Sequence, residues 1–167
     1  MYQGDPAGNN NARLATTGIA VSYVPNTNTG ASRLVTLRNL TVRNFARGAE
    51  ISHVARVLID NCRFENNLNY GILLDFSSVA VITNTEVSGT GFRTVGANVP
   101  NPGYGISLET SAHARVVDSV ISHSSTAGVV NSGPAANLVF YKVGLYFNGT
   151  NINGAFTSTL DPNLSQN

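Results

Sequence analysis

A repeat of 23 residues places the strongest constraint on the fold of this chain. Short apolar runs open at Gly48 and Gly71, and again at Gly105 and Gly128, and the two members of each pair are 23 positions apart. The 34 residues from Gly71 to Gly105 correspond to one repeat plus an 11-residue insertion. A fixed period in this range is typical of a solenoid, in which each repeat packs only on its neighbours.

An Asn or Asp follows the second apolar run of each repeat. The stretch Asn-Cys-Arg-Phe at residues 61–64 is one of a set, and the members of the set begin at Asn39, Asn61, Asn84 and Asp118. Amides stacked at a tight bend hydrogen-bond along the stack and tolerate the left-handed backbone conformation. We therefore predict that these residues form a structural ladder and do not bind a ligand.

The segments between the repeat glycines and the Asn or Asp residues indicate β-strands. Each repeat holds three short β-branched runs separated by Gly, Asn and Ser, without the spaced leucines and helical segment of a leucine-rich repeat. Alternating apolar runs bounded by turn formers are typical of strands. The sequence therefore predicts an all-β fold, a single-stranded parallel β-helix of about five coils of three short strands, over residues 14–149. Residues 1–13 are predicted to form a flexible arm, and residues 150–167 a polar C-terminal tail.

The pattern Gly-Ile-x-Leu, then Val-x-Ile, then Asn-x-x-Val recurs between residues 18 and 147. It resembles the right-handed parallel β-helix repeat proteins of the pectate-lyase-like superfamily. The resemblance implies a right-handed solenoid but no single activity, because that superfamily includes lyases, hydrolases, epimerases, phage tailspikes and non-catalytic surface proteins. The catalytic motifs of its polygalacturonases, pectate lyases and alginate epimerases are missing here, and Asn84-Thr85-Glu86 is only a near match to Asn-Thr-Asp.

Charge and cysteine content exclude several classes of protein. Charged residues make up 11% of the chain, the formal net charge is +1, and Lys142 is the only lysine. The lack of a basic cluster argues against nucleic-acid binding, and no run is long enough to span a membrane. The single cysteine, Cys62, excludes an internal disulfide framework and is predicted to point inward. We expect an extracellular location or one on a cell or virion surface.

The first strand of each repeat suggests a candidate site. Alternate residues of a strand point to opposite faces, and this predicts that Glu50, Leu73 and Ser107 face outward. One step further, Asp75 and Glu109 are predicted on neighbouring rungs about 4.8 Å apart. Adjacent carboxylates can share a proton, bind Ca²⁺ or act as acid and base on a glycan. Asp75 and Glu109, with Glu50, are therefore the candidate catalytic residues.

In the enzymes that this chain resembles, substrate lies along this first-strand face between flanking loops. The resemblance implies that insertions at residues 25–32 and 89–102 wall such a groove, with Arg93, Tyr104 and Ser107 as carbohydrate-binding residues. His53, His113 and His123 do not share a rung position, and no metal-ligand spacing is seen. We predict no metal centre and no cofactor, apart from Ca²⁺ as an option at Asp75 and Glu109.

Outward aliphatic residues favour assembly. Leu73 and Val130 on the first strand, with Leu58 and Val81 on the second, are predicted to face away from the core and to form an apolar patch. Such a patch suggests a homo-oligomer or packing within a larger β-helix. We therefore predict a non-catalytic surface or assembly module with carbohydrate contact on the first-strand face. The alternative is a polysaccharide lyase or glycoside hydrolase that uses the paired carboxylates.

Overall fold

The computed structural model describes residues 17–22, 34–53, 56–91, 102–133 and 135–155. The predicted arm at residues 1–13 and the loop at residues 25–32 lie outside these ranges. The described elements are the β-strands β1 (Thr17–Ser22), β2 (Leu34–Arg38), β3 (Thr41–Arg43), β4 (Arg47–Ser52), β5 (Arg56–Asp60), β6 (Arg63–Glu65), β7 (Tyr70–Leu74), β8 (Val79–Thr83), β9 (Glu86–Ser88), β10 (Tyr104–Leu108), β11 (His113–Ser122), β12 (Ala127–Asn131), β13 (Asn137–Tyr146) and β14 (Ile152–Gly154).

These strands form parallel ladders in which each coil lies on the previous one. The first sheet has six strands in the order β1-β4-β7-β10-β12-β14. The remaining strands form an eight-stranded sheet with a bend. We call the part before the bend the second sheet (β2, β5, β8 and the first halves of β11 and β13) and the part after it the third sheet (β3, β6, β9 and the second halves of β11 and β13). The predicted parallel β-helix is confirmed.

Apolar side chains stack in columns along the inside of this solenoid. Alternate residues of the first-sheet strands point inward and are all part of the interior cluster or packed against it; they are Ile19, Ile51, Ile72, Leu74, Ile106, Leu108 and Val129. Facing them, Phe64 of the third sheet and Ile59 of the second are fully buried. Full burial of each such side chain contributes about 1.5–3 kcal/mol, so the continuous core holds the coils together.

Gly71 shows why glycine recurs at the start of each first-sheet strand. A Cβ atom there would collide with the Val87 side chain of the third sheet and would lie 2.6 Å from the carbonyl oxygen of Gly105. The missing side chain would therefore point into the interior, where Ile72 is also buried. Two successive inward residues break the strict alternation of the strand, and Tyr70 consequently lies on the outside.

The bend between the second and third sheets requires a left-handed backbone. In successive coils it is formed by residues with φ of 57, 50, 48, 45 and 52°, namely Asn39, Asn61, Asn84, Asp118 and Lys142. Asn61 Nδ2 donates to Asn39 Oδ1 at 2.8 Å, whereas Asn84 Nδ2 donates to Asp60 Oδ1 at 3.1 Å. All five residues of the row therefore share the positive-φ conformation, which Asn and Asp tolerate well. Their side-chain amides do not form a continuous series of hydrogen bonds along the row.

Two further predictions can be compared with this fold. Cys62 is buried, and its Sγ donates to the carbonyl oxygens of Asp60 at 3.3 Å and Leu37 at 3.5 Å. Strand β14 lies inside the segment predicted to be a polar tail. It pairs with β12, and Ile152 packs against the core, so the solenoid extends beyond residue 149.

Candidate functional site

The outer face of the first sheet carries three columns of outward side chains that run across the coils. One column contains Arg47, Tyr70 and Tyr104; the next contains Glu50, Leu73 and Ser107; the third contains Ser52, Asp75 and Glu109. Parallel pairing fixes this arrangement, because residues in register on neighbouring strands lie about 4.8 Å apart.

Two tyrosines form an aromatic pair in the first column. The ring centroids of Tyr70 and Tyr104 are 5.7 Å apart with an interplanar angle of 37°. Burial raises the pKa of Tyr70 above its ordinary value, and the nearby Glu109 carboxylate and Tyr104 add to the rise. The phenol of Tyr70 therefore stays neutral and remains a hydrogen-bond donor. Sequence reasoning selected Tyr104 but missed Tyr70, although each of them immediately precedes a repeat glycine.

The Glu50 carboxylate is engaged in an ion pair and a hydrogen bond with neighbouring residues. Its Oε2 atom lies 2.9 Å from Arg47 Nη1 and accepts a hydrogen bond from Thr17 Oγ1 at 3.1 Å. Arg47, which sequence reasoning also missed, comes directly before the repeat glycine Gly48. The ion pair and the hydrogen bond orient the Glu50 side chain at the edge of the face.

Asp75 and Glu109 lie on neighbouring rungs, but their carboxylates make separate contacts. The backbone N–H of Asp75 bonds to Ile51 of the rung before it, and that of Glu109 bonds to Leu74. Asp75 Oδ1 accepts the N–H of Phe76 at 2.7 Å, whereas Glu109 Oε1 accepts the Ser107 hydroxyl at 3.3 Å. Each acid is thus oriented by its own strand or turn. Within the described ranges, no group of three or more His, Cys, Asp or Glu side chains is placed to hold a metal ion.

The outward aliphatic residues do not form the exposed patch predicted for them. Leu73 faces outward but is only 6% exposed, and Val130 and Leu58 are half-buried. Leu73 lies in the central column between the Glu50 and Ser107 positions, and Ser107 in the same column is buried as well. Val81, at 37%, is the exposed member of the predicted set. Arg93, another predicted site residue, lies outside the described residues.

The histidines occupy separate parts of the described surface. His53 Nδ1 lies 3.0 Å from the Ser52 hydroxyl and 3.2 Å from that of Ser22, and its ring stacks on Phe76 at 4.8 Å. His123 instead packs on Phe147, with 5.1 Å between ring centroids. His53 therefore lies beside the turn that follows Asp75, whereas His123 lies at a different corner. Within the described residues, no histidine joins Asp75 and Glu109 in a group that could hold a metal ion.

Comparison with known proteins identifies the family of the chain. Residues 8–142 match the family described as the right-handed beta helix region. No curated protein and no solved structure matches the chain. In the residues that the structure describes, no helix has the length and apolar character needed to cross a membrane. The family match covers most of the 167 residues and agrees with the parallel ladders, so this chain belongs to the right-handed β-helix family.

Proposed function

We propose that this chain is a non-catalytic β-helical module that contacts a neutral polysaccharide through the outer face of its first sheet. The observation that carries the proposal is the aromatic pair of Tyr70 and Tyr104, whose rings lie side by side in one outward column. Aromatic rings with a polar end suit sugars, because a sugar ring presents both C–H groups and hydroxyls.

Polar groups with fixed orientation surround the aromatic pair. The Arg47–Glu50 ion pair lies in the coil before Tyr70, and Glu109 lies in the coil of Tyr104. Ser107, which was predicted to bind carbohydrate, is buried and instead donates its hydroxyl to Glu109. A binding face that combines aromatic area with a few oriented polar groups is typical of small-molecule and glycan sites. Because the groups are already held in place, little ordering entropy opposes binding.

The charges of this face favour a neutral glycan. Within the described residues, neither Asp75 nor Glu109 forms an ion pair, whereas the charge of Glu50 is compensated by Arg47. Uncompensated carboxylates repel an acidic polysaccharide. We therefore expect glucans, mannans or xylans to bind in preference to polyuronates.

The carboxylate geometry supports a non-catalytic function. A retaining glycosidase needs two carboxyl groups about 5–5.5 Å apart on either side of the scissile bond. Here Asp75 accepts the N–H of Phe76 in its own turn and Glu109 accepts the Ser107 hydroxyl, so each acid is engaged by a partner of its own. Glu50 is neutralised in its ion pair. These separate contacts support the non-catalytic assignment over the lyase or hydrolase alternative.

The test is affinity electrophoresis of the whole chain in gels that contain neutral or acidic polysaccharides, followed by calorimetry on the best one. Tyr104→Ala should weaken binding roughly two- to tenfold, because an aromatic contact contributes about 0.5–1.5 kcal/mol. Tyr146→Ala is the matched control, since Tyr146 is an exposed tyrosine of the third sheet. Retained affinity in Tyr104→Ala, or binding of polyuronates alone, would refute the proposal.

The same polysaccharides also test the enzymatic alternative. Wild-type protein and the Asp75→Asn and Glu109→Gln variants should release no new reducing ends and no unsaturated products. Cleavage by the wild type that both variants lose would overturn the non-catalytic assignment and restore the paired acids as catalytic residues.

A further inference from the structure

A second candidate site lies at the corner where the chain leaves the third sheet and returns to the first. In successive coils this corner is formed by a column of residues with φ of 64, 52, 67, 52 and 54°, namely Asn44, Asn66, Gly89, His123 and Phe147. Gly89 is the only member of the column without a side chain. The column is therefore interrupted between Asn66 and His123.

This interruption forms a groove of about 430 Å³ lined by Asn66, Ser88, Gly89 and His123. Its volume falls in the range of about 300–1,000 Å³ that is usual for small-molecule sites. A methyl group at Gly89 would collide with Asn66 Oδ1, so the absence of a side chain there determines where the Asn66 carboxamide lies.

The described residues that line the groove carry no carboxylate, ammonium or guanidinium group. Asn66 contributes a carboxamide, His123 an imidazole, and Ser88 a hydroxyl that donates to Glu86 Oε1 at 3.2 Å and keeps its oxygen as an acceptor. The charge of Glu86 is compensated, because its Oε2 lies 3.1 Å from Arg63 Nη2. The groove therefore offers both donors and acceptors to a ligand.

Side chains, and not backbone amides, must recognise a ligand here. The N–H of Gly89 already bonds to the carbonyl of Ser122 at 3.2 Å, and that of His123 bonds to Tyr146 at 3.1 Å. The ring of His123 packs on Phe147 at 5.1 Å, and Phe147 is 79% exposed. One wall of the groove thus continues into an accessible aromatic surface.

We propose that this corner groove binds a neutral sugar residue. The hydroxyls of the sugar would bond to Asn66, Ser88 and His123, and its C–H face would lie against the His123–Phe147 pair. Among the described residues that line the groove there is no Lys or Arg to pair with a phosphate or a carboxylate. The site lies on a different surface from the Tyr70–Tyr104 face, and its function does not depend on that face.

The experiment is a ¹H–¹⁵N NMR titration of the whole chain with methyl glycosides of glucose, mannose and galactose. At least one of them should shift the amide signals of residues 66, 88, 89 and 123 in a saturable way. Glucuronate and glucosamine, which carry a charge, should bind more weakly. An open groove covers only part of a sugar, so we expect a dissociation constant on the order of millimolar.

Asn66→Gly and Asn44→Gly form a matched pair of variants. Both positions have positive φ, which glycine accepts without strain, but only Asn66 lines the groove. Loss of a carboxamide contact should weaken binding roughly two- to tenfold in Asn66→Gly and leave Asn44→Gly unchanged. Equal affinities in the two variants would overturn the proposal.

The titration also separates this site from the first-sheet face. Tyr104→Ala should leave the shifts at residues 66, 88, 89 and 123 intact. If sugars shift only the amides of residues 70, 104 and 107, the groove proposal fails and the first-sheet proposal stands. If only the amides of the corner groove shift and the Tyr70–Tyr104 face retains no polysaccharide, the first-sheet proposal fails and the groove proposal stands. No shift at either place, at the highest soluble sugar concentration, would reject both.

Discussion

Replacement of Asn67 by alanine should be among the most destabilising single changes in this solenoid. The side chain of Asn67 is fully buried. Its Oδ1 accepts the backbone N–H of Phe45 at 3.2 Å, and its Nδ2 donates to the carbonyl oxygen of Val42 at 3.3 Å. Both partners belong to the preceding coil, so one amide ties two coils together. In the last coil, Asn148 likewise accepts from Ser124 N at 2.9 Å.

The size of the effect follows from the groups left without partners. An unsatisfied donor or acceptor inside a protein costs about 1–3 kcal/mol, and Asn67→Ala leaves one of each. The Phe45 N–H is only partly buried, so we expect a loss of about 2–4 kcal/mol in the free energy of unfolding. For a chain of this length, that loss corresponds to a fall in Tm of about 5–15 °C.

Asn61→Gly is the control for this prediction. Asn61 is an exposed amide with one side-chain bond, 2.8 Å to Asn39, and its φ of 50° suits glycine. Its loss should cost less than about 1 kcal/mol. Urea unfolding followed by far-ultraviolet circular dichroism gives the free energy and the slope m for both variants. Equal destabilisation of the two variants, or a change within about 0.5 kcal/mol for Asn67→Ala, would refute the reasoning.

Three further predictions concern single titratable or reactive groups. Hydrogen bonds from Asn84 and Thr83, with Arg38 nearby, lower the pKa of Asp60 below 3.8. The ionised carboxylate of Asp60 therefore stabilises the folded state above pH 3.8, and this stability is lost as the pH falls through the lowered pKa. Asp60→Asn should make the free energy of unfolding less dependent on pH in the acid range. Because the pKa of Tyr70 is raised, its neutral phenol stabilises the folded state, and this stability is lost as the pH rises through that pKa. An ultraviolet titration should show a phenol that ionises above pH 10.0, and Tyr70→Phe should remove this step. Cys62 is 1% exposed, so Ellman's reagent should react no faster than the protein unfolds, and rapid reaction with folded protein would contradict its burial.

The fold could be predicted because its determinants are local and repeated. Gly48 and Gly71 each lie at a close approach between neighbouring coils, and this contact recurs once per coil. After Gly71, the alternate residues Ile72 and Leu74 point inward. Asn61 marks a bend that requires positive φ. Each signal occurs within a few residues and recurs in the next coil, so a single sequence contains several copies of the same evidence.

The candidate sites were less accessible to prediction, because they depend on where side chains point. Asp75 and Glu109 were correctly placed on neighbouring rungs, yet nothing in the sequence showed that one carboxylate would bond to its own turn and the other to Ser107. Asn67 and Asn61 are both asparagines of one repeat in the sequence, although in the structure Asn67 is buried and Asn61 is exposed. Period and composition do not determine such contacts.

One part of the first-sheet face nevertheless follows from the repeat itself. Gly71 must face inward because of its contact with the neighbouring coil, and Ile72 is buried beside it, so the residue before the glycine must face outward. The same argument applies to the neighbouring coils, and it defines an outward column made of Thr17, Arg47, Tyr70 and Tyr104; Ala127 continues the register but is buried. The residue before each repeat glycine therefore decides what this face can contact. In this chain the centre of that column holds Tyr70 and Tyr104, and their aromatic pair is the basis of the proposed contact with a sugar ring.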